Sequence, residues 1–164
     1  MSDNVQLILK KIEHLHRMWT YLDYSLHQTL PLLPISNFQL LTPAQHETLA
    51  AFRVRFSELQ EQIGKTMRAI AREEEQDTEP FSTVLLYMTK LGIIASVDQW
   101  KLIRELRNAV NHEYEENSER LSEFFEELTK ATPTLNLWLQ RIEAFCARTY
   151  PNTGLLSTPA GRNT

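Results

Sequence analysis

The stretch TPAQHETLAAFRVRFSELQEQIGKTMRAI, residues 42–70, decides the fold class. Thr42 is a residue type that accepts hydrogen bonds from the free N–H groups at a helix start. Pro43 suits the first helical position, where a missing N–H costs nothing. Leu49, Phe52, Phe56, Leu59, Ile63, Met67 and Ile70 then recur at spacings of three and four, the period of a helix with one apolar face. This predicts a helix from Thr42 to about Glu74. The charged run REEEQDTE, residues 72–79, ends it and reads as a solvated terminus with no ligand role.

The same pattern extends outward in both directions. A first helix is expected from about Asn4 to Thr29, with Leu7, Ile8, Ile12, Leu15, Met18, Trp19, Leu22 and Leu26 near helical spacing and Pro31 and Pro34 stopping it. A short third helix should begin near Pro80 and close at Leu91–Gly92, where glycine suits a left-handed cap. Ser96, with Gln99 three residues on, resembles a capping box for a fourth helix that ends near Tyr114 to Asn117. A fifth is expected over Ser118–Lys130 and a sixth from Thr132–Pro133 to Thr149. Only two of the four glycines, Gly64 and Gly92, precede residue 150, which argues against a turn-rich β protein. The expected fold is all-α: an antiparallel helical bundle of five to six helices over residues 1–150, with 151–164 as a flexible tail.

Composition narrows the function. At 164 residues with a net charge of -4, the chain is one domain and too acidic for a general nucleic-acid coat protein. Any RNA contact must be local. The single cysteine, Cys146, permits neither an intramolecular disulfide nor a cysteine-based zinc site. No apolar run approaches the length needed to cross a bilayer, and the first thirty residues hold no leader-like core, so the expectation is a cytoplasmic protein with no membrane contact. The absence of a glycine-rich phosphate loop argues against nucleotide binding of the P-loop or Rossmann kind, and no cofactor is expected. Glu13 and His16 have a metal-like spacing but no second such pair, so no metal is expected. His14, His27 and His46 lack partners at ligand spacing, and Trp19, Trp100 and Trp138 fall on apolar faces.

The chemistry concentrates in RELRNAVNHEY, residues 104–114. With about 100° of rotation per residue, Ile103, Leu106 and Val110 share a core-facing side. Arg107, Asn111 and Tyr114 lie on an adjoining stripe, and Asn108 and His112 on the next. Such a strip suits RNA cleavage without a metal. Histidine titrates near neutrality and can take the ribose 2′-hydroxyl proton or protonate the leaving oxygen. A guanidinium stabilises the charge growing on the phosphorane oxygens, and Asn108 can orient either group. One such His per chain leaves acid and base short of a partner, which a two-fold homodimer would supply. An exposed polar helix end meets the Arg-x4-His spacing equally well, so the spacing alone does not establish the chemistry.

The segments LRNAVNHEY (106–114), KLGIIASVDQWKLIRELRN (90–108) and FRVRFSELQEQIGKTM (52–67) together resemble the HEPN toxins of the HepT group, over roughly residues 5–148. Arg107, Asn108, His112 and Tyr114 match that group's Arg, polar, three residues, His, one residue, Tyr pattern. The residue before the His is commonly apolar there and is Asn111 here. The resemblance implies a helical homodimer whose two motifs meet in a cleft, acting as a metal-independent endoribonuclease within a toxin–antitoxin pair. It implies His112 as general acid or base, Arg107 as transition-state stabiliser, Asn108 as orienting group and Arg104 as a substrate-binding residue. It also implies neutralisation by a minimal nucleotidyltransferase (MNT) antitoxin that transfers AMP onto Tyr114. The alternative is a catalytically silent HEPN partner that only binds a nucleotidyltransferase. In its favour, residues 104–127 hold eight glutamates against three arginines, a balance that repels RNA.

Overall fold

In the computed structural model, which describes residues 2–109 and 117–151, five α-helices and two single 3-10 turns account for the architecture. They are α1 (Asp3–Thr29), α2 (Pro43–Glu73), α3 (Phe81–Lys90), α4 (Val97–Ala109) and α5 (Ser118–Thr149), and no strand occurs among the described residues. The starts are chemical. Ser2 Oγ accepts from the Val5 N–H at 3.1 Å. Thr42 Oγ1 accepts from Gln45 N–H at 3.2 Å while Gln45 Oε1 accepts from Thr42 N–H at 2.9 Å, a complete capping box. Asn117 Oδ1 accepts from the N–H groups of Glu119 and Arg120 to open α5. Gly92, at φ 75°, ends α3 in the left-handed conformation expected of it, and the Ile93 N–H reaches back to the Met88 carbonyl.

The all-α expectation holds, with one change in the count. Separate fifth and sixth helices were expected to meet at Pro133; instead α5 runs unbroken through that proline for 32 residues. The reason is burial in phase. Leu128, Thr132, Leu135, Leu139 and Ile142 are fully buried at spacings of three and four on both sides of Pro133. A break there would turn one half of the stripe out of the core. Each such apolar side chain contributes about 1.5–3 kcal/mol, against about 3 kcal/mol for an interior proline.

Cross-links between distant segments define the topology. Asn4 Nδ2 donates to the Ala69 carbonyl at 3.1 Å, and Arg55 Nη1 donates to Ser25 Oγ at 2.7 Å, so α1 and α2 are antiparallel. The loop before α2 donates from Ile35 and Phe38 N–H to Ser122 and Ser118 Oγ at the start of α5. At the other end Tyr150 O–H donates to Glu74 Oε1 at 2.6 Å. Thus α5 runs parallel to α2 and antiparallel to α1. The α3–α4 pair carries the chain back across the side of α2, packing on α2 and α5. The core lies among the three long helices around Ile8, Ile12, Phe52, Phe56, Leu135 and Leu139. Leu7, expected on the α1 stripe, is exposed instead.

Candidate functional site

Helix α4 is oriented by its aromatic face. Ser96 Oγ accepts from the Gln99 N–H at 3.0 Å at its start, and Trp100 and Ile103 are buried. The Trp100 ring packs between Phe81 at 5.8 Å and Trp138 at 5.1 Å, centroid to centroid. It reaches α2 because residue 64 is glycine: a Cβ there would stand 3.3 Å from two Trp100 ring carbons. With Trp100 and Ile103 turned inward, Arg104, Arg107 and Asn108 fall beside α2, a consequence of helical rotation.

The result is an open groove of about 300 Å³ between α2 and α4, with Phe81 also lining it. Arg107 and Asn108, paired in the sequence reading, both line it, as does Arg104. Arg104 and Asn108 are exposed, whereas Arg107 is half-buried. Its Nη1 donates to Gln60 Oε1 at 2.8 Å, and Gln60 is only 1% exposed. A buried neutral amide holds the guanidinium in place and leaves its charge unopposed. A carboxylate at that point would fix the arginine equally well and cancel the charge.

Three lining residues were not identified by sequence reasoning: Gln60, Lys65 and Arg68, all on α2. Gln60 had a legible signal, since it stands four residues from Phe56 and three from Ile63 on the apolar stripe, where a lone polar side chain requires a buried partner. Lys65 and Arg68 had none beyond the charge itself. Glu61, paired with Lys65 at 3.6 Å, is the single carboxylate against four cationic side chains in the lining. The exposed glutamates of residues 104–127 that are described, Glu105, Glu119, Glu123 and Glu127, lie outside that lining.

His112 and Tyr114, with Asn111 and Val110, lie outside the described residues, as does the tail from residue 152. Among the described residues no three His, Cys, Asp or Glu side chains converge as metal ligands. His16, of the Glu13–His16 pair, instead meets Glu143 of α5 at 2.9 Å. Trp100 and Trp138 are core residues, while Trp19 is half-buried. No described helix is long and apolar enough to cross a membrane. The groove can accept an anion: its cations are numerous, partly desolvated and poorly opposed. No protein-family model, curated protein or solved structure matches the chain.

Proposed function

We propose that this chain is the toxin of a type II toxin–antitoxin pair, a cytoplasmic, metal-independent endoribonuclease of the HEPN type and HepT group. The observation that supports this most directly is Arg107, anchored by Gln60 at 2.8 Å and facing a groove lined by four cationic side chains. An arginine whose charge is kept available is what a developing phosphorane dianion requires.

In this reading the ribose 2′-oxygen attacks the adjacent phosphorus as its proton passes to one imidazole, and the bond from phosphorus to the 5′-oxygen breaks. The leaving oxygen takes a proton from a second imidazole. The products are a 2′,3′-cyclic phosphate and a free 5′-hydroxyl. His112 supplies the imidazole in each chain of a homodimer, Arg107 stabilises the phosphorane oxygens, Asn108 orients them and Arg104 holds the substrate. An MNT partner would silence the site by placing AMP on Tyr114. The alternative, a silent HEPN partner that only docks the nucleotidyltransferase, leaves the cationic groove without a role.

The test is cleavage of a mixed-sequence single-stranded RNA in the presence of EDTA. The wild type should yield cyclic-phosphate ends, and Arg107→Ala and His112→Ala should yield none while keeping their helical signal. Equal cleavage by Arg107→Ala would overturn the assignment.

A further inference from the structure

The groove continues well past Arg107. Gln60, Gly64 and Arg68 follow one another at four-residue steps on α2, so Arg68 lies about 12 Å along the helix from the amide that holds Arg107. Between them Gly64 presents no side chain, and all three residues line the same groove. Arg68 is held by an aromatic ring: its guanidinium carbon sits 5.0 Å over the centre of Phe81. Its Nε is buried without a hydrogen-bond partner. The carboxylate nearest its Nη2, Glu79, stands 3.9 Å away on a side chain that is 80% exposed. Exposed pairs at such distances contribute little. Lys65, three residues before Arg68 on the same face, has a similarly open pairing with Glu61 at 3.6 Å.

We infer that Lys65 and Arg68 form a second anion subsite, which takes a phosphodiester one or two nucleotides from the scissile one in a single-stranded RNA. This rests on the ribonuclease reading of Arg107. The separation selects the ligand class: a lone phosphate cannot touch both ends of a span of about 12 Å, whereas a strand with a charge at every nucleotide can. Each cation that neutralises a strand phosphate releases a counterion, so the two ends add in affinity and in salt dependence.

A non-cleavable 2′-O-methyl octanucleotide, titrated against the wild-type protein by fluorescence anisotropy, tests this separately from catalysis. The Lys65→Gln/Arg68→Gln double variant should bind it at least tenfold more weakly. The slope of log affinity against log salt should fall in magnitude by about 1.4, or 0.7 for each lost phosphate contact. Glu79→Gln should tighten binding, because it frees Arg68. A dinucleotide, too short to span both ends, should bind the double variant and the wild type alike. Unchanged octanucleotide affinity and slope in the double variant, with wild-type cleavage of ordinary RNA intact, would overturn the subsite alone. Subsite-dependent binding without cleavage would overturn the ribonuclease reading alone. No octanucleotide binding by the wild type would overturn both.

Discussion

A buried glutamine is costly unless its amide is used, and Gln60 uses it on Arg107 across 47 residues of sequence. This makes Gln60 a positioning residue for the proposed reaction. Gln60→Leu should lower kcat for RNA cleavage by about 10- to 100-fold, the scale of loss when a catalytic group is misplaced by about an ångström. KM should change far less, since the other three cations stay. Gln60→Glu should keep the arginine in place yet lose activity as well, because the new carboxylate cancels its charge. An unchanged kcat in Gln60→Leu would remove Gln60 from the mechanism. Tyr114 carries the regulatory prediction. Its neighbours Glu113, Glu115 and Glu116 disfavour burial, because three adjacent charges must be solvated. Tyr114→Phe should fold normally and resist neutralisation by the nucleotidyltransferase. Intact-mass analysis with the partner and ATP decides it: AMP-sized increments should appear on the wild type and be missing from the Phe variant.

At the scale of elements, local signals compete with the burial that a continuous helix achieves. Pro133 is exposed on the outside of α5, so its ring contributes little packing. Replacing it with alanine restores an N–H to the helix and removes the ring's clash with the preceding turn. Pro133→Ala should therefore stabilise the protein by about 1–3 kcal/mol, less a few tenths for the looser unfolded chain. In a thermal melt that is a rise of several degrees. A lower melting temperature would mean that α5 needs a bend at this point. Gly64 works the opposite way: alanine would favour the helix but press on Trp100, which Phe81 and Trp138 already confine.

For the whole molecule, the junction where α5 closes on the end of α2 sets the alkaline limit. Burial pushes the Cys146 thiol from 9.0 up to about 12, with the charges of Glu74 and Glu143 adding to it. Burial, then the hydrogen bond to Glu74, raises the Tyr150 hydroxyl in the same direction. Both groups are held neutral by folding. Their stabilisation is fully present below the unfolded pKa and is lost as pH rises through the folded value. For Cys146 the window runs from about 9 to about 12. Stability measured by denaturant should therefore decline above about pH 9 by up to about 1.4 kcal/mol per unit for one group. Cys146→Ala should flatten that decline, and an identical pH profile would contradict it. Assembly is the other molecular-scale prediction. The reaction calls for two imidazoles where each chain offers one at the motif, so sedimentation at micromolar concentration should give a dimer. A stable monomer would exclude a composite site.

The starts of α2, α4 and α5 and the end of α3 are written in Thr42, Ser96, Asn117 or its neighbour, and Gly92, because capping is a contact within three or four residues. The apolar stripes likewise report the period of the helix that carries them. Sequence by itself therefore determined the all-α class, most helix boundaries to within a residue or two, and the placement of Arg104, Arg107 and Asn108 on one exposed strip. It misjudged Pro133, since a local rule was weighed without knowing that the stripes on either side face a common core. Only the tertiary structure decided that α5 runs parallel to α2, that Gly64 admits Trp100, and that Gln60, Lys65 and Arg68 join Arg107 in one groove. Those facts depend on helices distant in sequence meeting at particular rotations. Packing of whole faces sets those rotations, and no short stretch of residues encodes them.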